Sequence, residues 1–172
     1  MSEEVTIRRA TPADREVLGR YGGALMRQHH GFDPRRFIQV DQPDLGYGRF
    51  LVSQLDDDDS LVLVAERDGS VVGYVYAGME PMSWKELREA CGFVHDVYVD
   101  ERARGGGIGE KLVRAAIEWL ESMGSPRVML WSAAANERAQ RLFERLGFRR
   151  TMIEMTRELD DAPGEQGPRE RR

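Results

Sequence analysis

The sequence predicts an α/β fold: one domain with a mixed, mostly antiparallel central sheet flanked by helices. Three observations carry this. Short apolar or alternating runs recur along the chain, interleaved with segments whose apolar residues follow helical spacing. Two of those runs, Leu61–Glu66 and Val71–Ala77, flank Arg67-Asp68-Gly69-Ser70, where Asp-Gly marks a tight hairpin. A third run, ending near Val99, passes through the glycine-rich stretch Arg104–Gly109 straight into an amphipathic helix. At 172 residues the chain has room for one full core and little more.

The elements follow in order. Val5–Arg9 alternates and reads as a first strand. Thr11 suits an N-cap, Pro12 the first helical position and Asp14 an acidic first turn, so a helix is expected to about Gln28. Its apolar spacing comes from Val17, Leu18, Tyr21, Leu25 and Met26, and the Gly22-Gly23 pair weakens it enough to allow a bend. His29–Gly48 is expected to be loop-rich, and Gly48–Leu55 a short helix. The acidic run Asp56–Asp59 reads as a solvated turn, with a cation-attracting rim as the alternative.

After the hairpin, Ser83 is expected to cap a short helical segment over Trp84–Ala90, before a strand at Gly92–Val99. Ile108–Met123 should be a helix burying Leu112, Ala116, Trp119, Leu120 and Met123, ended by Gly124-Ser125-Pro126. Arg127–Ser132 reads as a strand, Asn136–Leu146 as a helix stopped by Gly147, and Phe148–Leu159 as further strand. The domain should span residues 5–159, and the charged Pro- and Gly-containing stretch 160–172 is expected to be a disordered tail.

Composition narrows the function classes. A net charge of −5 and the lack of a long basic run argue against a nucleic-acid partner. One cysteine, Cys91, excludes an internal disulfide framework and a thiolate zinc cluster, and the three histidines have no metal-ligand spacing, so no metal is expected. No apolar run approaches the ~18 residues of a membrane span, and MSEEVTIRR lacks a signal peptide's apolar stretch. The expectation is a cytoplasmic globular domain without membrane association.

The stretch VYVDERARGGGIGEKL, Val97–Leu112, is the most informative. Glycines admit positive φ and close ligand approach, and the helix behind them presents free N–H groups and a positive dipole end. Together these form an anion cradle suited to a pyrophosphate. A nucleotide-hydrolase phosphate loop would need Gly-Lys-Ser or Gly-Lys-Thr, but Gly109 is followed by Glu110 and Lys111. A dinucleotide fingerprint counted from Gly105 and Gly107 puts Glu110 where its third glycine belongs.

What remains is Arg-x-x-Gly-x-Gly at Arg104, Gly107 and Gly109, within HDVYVDERARGGGIG. This segment resembles the acetyl-coenzyme A (acetyl-CoA) loop of the GCN5-related N-acetyltransferases (GNAT). The second diagnostic segment of that family, N-x-x-A-x-x-L-Y/F-x-x-x-G-F, is matched by Asn136, Ala139, Leu142, Phe143, Gly147 and Phe148. The resemblance extends to the order of elements. It implies the acyl-CoA N-acyltransferase fold with splayed strands, and acetyl-CoA as co-substrate. Backbone groups of Val97 and Val99 would pair with the pantetheine arm, with Tyr98 between them. Arg104, Gly105, Gly106, Gly107, Ile108, Gly109 and Glu110 would surround the pyrophosphate, and Asn136 and Phe143 would contact the arm from the last helix. Plain turn roles for Gly105 and Gly106, and a surface ion pair for Arg104, remain alternatives.

Acetyl transfer to an amine needs a neutral nucleophile, a donor for the oxyanion and a path for protons. His95 is the candidate base, at a position where several relatives carry glutamate; a merely structural strand histidine is the alternative. Period two puts it on the face of Val97 and Val99, opposite Asp96. Many relatives have tyrosine at position 143 to protonate the thiolate, and Phe143 cannot do this, which leaves water. The expected acceptor is a primary amine on a small molecule or peptide, and a homodimer is expected. The rival expectation is a non-catalytic acetyl-CoA sensor or interaction module on the same fold.

Overall fold

The computed structural model describes residues 4–159, so the expected tail lies outside the described residues. The elements are β1 (Thr6–Arg9), α1 (Arg15–Phe32), α2 (Pro43–Ser53), β2 (Ser60–Arg67), β3 (Ser70–Glu80), β4 (Cys91–Val99), α3 (Ile108–Ser122), β5 (Val128–Leu130) and α4 (Glu137–Arg145). The strands form one sheet in the order β1-β2-β3-β4-β5, with only the β4–β5 pair parallel. The hairpin turns at Asp68 and Gly69, both at positive φ, as a two-residue primed turn requires.

Helices cover both faces of the sheet, which is why β2 reads as an unbroken apolar run. Leu61, Leu63 and Ala65 pack with Val75, Ala77 and Val94 against Ile108, Leu112, Ala116 and Leu120 of α3. Val62, Val64 and Tyr74 face the other way, onto Leu18 and Tyr21 of α1 and Leu51 of α2.

Four local expectations are corrected. The Gly22-Gly23 pair does not bend α1, which runs unbroken; its glycines let α2 lie against it. A Cβ would fall 2.3 Å from Asp44 O at Gly19, 2.1 Å from Tyr47 Cδ1 at Gly22 and 2.0 Å from Asp44 Oδ1 at Gly23. The second helix therefore begins at Pro43, not Gly48, and ends at Ser53. Trp84–Ala90 is no helix: Leu87 takes φ 52°, Ser83 bridges to Arg88, and Trp84 and Leu87 have no surface to bury against. The buried Arg88 guanidinium organises this loop instead, donating to Pro81 O and Glu89 O. Phe148–Leu159 forms no strand, for it meets no sheet edge among the described residues. The acidic run is a turn in which Asp57 accepts from Asp59 N and Ser60 Oγ.

Candidate functional site

The β4–β5 ladder stops at Val94↔Leu130, and beyond it the strands separate. Asp100 N–H donates to Val72 O, so Asp96, Tyr98 and Asp100 turn their peptide groups toward β3. By antiparallel alternation Val97 and Val99 turn theirs into the gap. The gap opens into a cavity of about 690 Å³ that runs from α1 and α2, past β4, to the first turn of α3 and along α4.

His95, Val97, Tyr98, Val99, Arg104, Gly105, Gly107, Ile108, Gly109, Glu110, Asn136 and Phe143 all line this cavity. Gly106 does not. Tyr98 reaches the cavity while its ring packs on Tyr21, centroids 5.3 Å apart. Gly107, at φ 74°, caps α3 in the left-handed region, which glycine enters without strain. Arg104 donates from Nε to Val99 O at 2.9 Å and lies over the Tyr98 ring, so it braces the loop as well as charging it. Asn136 caps α4, accepting from Ala139 N. Phe143 is buried and meets Phe148 edge-on.

The position of His95 corrects the period-two expectation. Tyr76 faces Asp96 while Ala77 faces Val94, which leaves His95 as an extra residue in a β-bulge. The bulge resets the alternation. The His95 ring is stacked between Tyr76 and Phe93, at 4.8 and 4.9 Å, on the α1–α2 side of the sheet. Val97 and Val99 pack on the α3 side. His95 thus shares a face with Asp96, not with the two valines.

The imidazole is pre-positioned. Its Nε2 lies 3.0 Å from Glu80 Oε1, and the two side chains are 27% and 35% exposed. Burial lowers the imidazole's pKa below its usual value, and the charges of Glu80 and Asp96 only partly offset this. Burial thus favours the neutral ring, and with Nε2 facing the Glu80 carboxylate, the tautomer that donates Nε2–H to Glu80 leaves Nδ1 as the basic nitrogen. Asp96 accepts from Tyr74 Oη at 3.0 Å. Burial raises its pKa, against the hydrogen bonds from Tyr74 and Tyr47.

Several lining residues were missed in the sequence. Arg138, Arg141 and Arg145 bring α4's charge to the cavity, and their i, i+3, i+7 spacing was a readable signal. Ser132 also lines the cavity, and its Oγ is buried with no hydrogen-bond partner. Glu80 had no sequence signal, because its role depends on the bulge. A lone hydroxyl, an outward-facing strand edge and a glycine-capped helix start converge on one elongated space. Such a space fits a ligand with amide groups at one end and phosphates at the other.

Residues 25–148 match the acetyltransferase (GNAT) family. An uncharacterised N-acetyltransferase of Methanocaldococcus jannaschii is 32% identical over 143 residues, covering 83% of this chain and 60% of that protein. A mycothiol acetyltransferase of Thermomonospora curvata is 34% identical over 98 residues, covering 57% of this chain and 31% of that protein. The chain thus spans less than two thirds of the first relative and about a third of the second. A crystal structure of a Bacillus halodurans protein superimposes with a TM-score of 0.78 at 25% identity, over 90% of this chain and 99% of that one. With the family match covering both the glycine loop and the Asn136–Phe148 segment, the chain belongs to the acetyltransferase (GNAT) family.

Proposed function

We propose that the protein transfers the acetyl group of acetyl-CoA to a primary amine by direct attack within a ternary complex. The observation that carries this reading is the gap between β4 and β5, which opens beside a clamped, neutral histidine. The residues present fit the co-substrate. Outward peptide groups of Val97 and Val99 would hold its amide arm, while the α3 amides behind Gly107, with the cations of the α4 face, would hold its phosphates.

The acceptor arrives mostly as an ammonium. His95 Nδ1 takes one proton from it, and the neutral amine attacks the thioester carbonyl. Val97 N–H donates to the developing oxyanion. Collapse of the tetrahedral intermediate breaks the carbon–sulfur bond, and the second proton of the attacking nitrogen passes through water to the departing sulfur. The thiolate, whose conjugate acid has a pKa of ~8.5 to 9, leaves as free thiol. Ser132 Oγ is the unpartnered donor available to that sulfur where Phe143 offers none. The acceptor half of the cavity is lined by Met26, His29, Phe37 and Tyr47 beside the Asp96 carboxylate. That lining favours an amine with an apolar body.

The second reading, a non-catalytic acetyl-CoA sensor, draws its support from Phe143. An acceptor screen with free-thiol detection separates the two. The expected result is amine-dependent thiol release that falls by roughly 10² or more in His95→Ala, with coenzyme affinity retained. Coenzyme binding without release across the panel supports the sensor, and near-normal turnover in His95→Ala removes the histidine from the chemistry.

A further inference from the structure

The cavity changes electrical character along its length. Its arginines, Arg104, Arg138, Arg141 and Arg145, all come from the turn before α3 and from α4. The residues that α1, the loop after it, α2 and β4 contribute to the lining include no Lys or Arg, and their one carboxylate is Asp96. A carboxylate on the wall of a cavity, at the end without cations, calls for a cationic guest.

The polar atoms around that carboxylate are of one kind. Tyr74 Oη donates to it at 3.0 Å, and the Tyr47 phenol donates as well. Of the about four lone-pair sites of a carboxylate, the phenols fill two and the rest stay free to accept. Burial raises the Asp96 pKa, while the two phenols and the charges of His95 and His29 oppose it, so both imidazoles stand near the carboxylate. His29 Nδ1 lies 2.9 Å from Leu25 O. A carbonyl only accepts, so the neutral ring keeps its hydrogen on Nδ1 and leaves Nε2 bare. His95, with Nε2–H on Glu80, leaves Nδ1 bare. Asp96, His29 and His95 thus all offer acceptors, and the hydrogens of the two phenols are already spent.

We infer that Asp96, with His29 Nε2 and His95 Nδ1, forms a receptor for a primary ammonium, and that the acceptor is an amine with an apolar body and no acidic group. The inference rests on the proposed acetyl transfer for what happens to the amine once bound. An ammonium has three donors and no acceptor, the complement of three groups that only accept. A neutral imidazole has no charge to draw a cation in. Asp96 supplies that charge, and charge-assisted hydrogen bonds are about twice as strong as neutral ones. An alcohol of the same shape brings one donor and no charge. An amino acid brings a carboxylate toward Asp96, where like charges repel and no cation of the surrounding elements answers it. Met26, Phe37 and Tyr47 line the same end and take the apolar body.

The experiment measures equilibrium binding, so its outcome does not depend on turnover. The full chain, saturated with coenzyme A, is titrated by calorimetry with benzylamine, phenethylamine and hexylamine, each beside its matched alcohol, and with phenylalanine beside phenethylamine. The expected result is an amine that binds about tenfold or more tighter than its alcohol, with phenethylamine ahead of phenylalanine by a similar factor. In Asp96→Asn the amine should lose about tenfold or more while the alcohol keeps its affinity. Unchanged coenzyme affinity shows that the variant is folded; if it is not, the wild-type ratios alone decide. Amine binding with these ratios but no thiol release from acetyl-CoA keeps the receptor and removes the proposed transfer. A panel in which no amine outbinds its alcohol, or an amine preference that survives Asp96→Asn, overturns the receptor, and thiol release in either case leaves the transfer standing.

Discussion

Replacing Glu80 with glutamine removes the charge 3.0 Å from His95 Nε2 and keeps an oxygen to receive the ring N–H. Two unit charges 4 Å apart at an effective dielectric of 20 attract by about 4 kcal/mol. Both of these side chains are about a third exposed, so solvent screening reduces the value to that of a surface pair, about 1 kcal/mol. Losing the carboxylate therefore lowers the imidazole pKa further, since the Glu80 charge is one of the two that hold it up. The direction follows from the mechanism. In the proposed mechanism His95 must be neutral to accept the proton, so kcat/KM should rise with pH through its folded pKa, which burial already holds below the usual value. Glu80→Gln should therefore move the acidic limb to lower pH. The plateau should slow roughly twofold, because the remaining base is weaker. Glu80→Ala also frees the tautomer and the ring orientation, and should cost roughly tenfold on the plateau. The assay is thiol release at saturating acetyl-CoA from pH 5 to 9 and constant ionic strength. A limb that stays in place or moves upward in Glu80→Gln would refute the pairing as the control on His95.

Three further outcomes are expected. Gly109→Val should abolish the thermal stabilisation by acetyl-CoA, ~2.7 kcal/mol at a hundredfold excess over Kd, while melting near the wild type, because its Cβ meets Leu142 Cδ2 at an ordinary 3.4 Å. Ser132→Ala should slow single-turnover transfer and Phe143→Tyr should partly restore it; a gain beyond about tenfold from Phe143→Tyr alone, ~1.4 kcal/mol of barrier, would make thiolate departure the harder proton transfer. Asp14→Ala should cost about 2 to 3 kcal/mol in denaturant titrations, because Asp14 takes two hydrogen bonds from Arg8 and one from Thr11 N. Arg8 holds the Asp14 pKa below its usual value, so this contribution is full above the unfolded pKa near 4 and is lost as pH falls through the folded one.

What was legible in the sequence was what local pattern decides. The hairpin at Asp68-Gly69, the Arg104–Gly109 turn and the Asn136–Phe148 segment each carry their geometry in a few adjacent residues. The orientation of His95 was not legible, because one inserted residue reverses side-chain parity and no local signal marks a bulge. The start of α2 was hidden for a related reason: the small residues that admit it are on α1. Residues 84–90 and 148–159 have the composition of a helix and a strand. Neither finds a surface to complete it among the described residues, and a pattern without a partner does not form an element.

The short reach of β5 also sets a rule for what may occupy the site. Where the ladder ends at Leu130, β4 continues with the Val97 peptide groups and the Val99 N–H turned into the gap at strand spacing, while Val99 O is taken by Arg104. A guest that is all apolar would strand those groups in a low-dielectric slot, at a cost of about 1 to 3 kcal/mol each. A guest carrying amides along a slender chain meets no such penalty. The missing half of a strand would thus act as a sieve, grading visitors by backbone-like chemistry before any side chain of the cavity touches them.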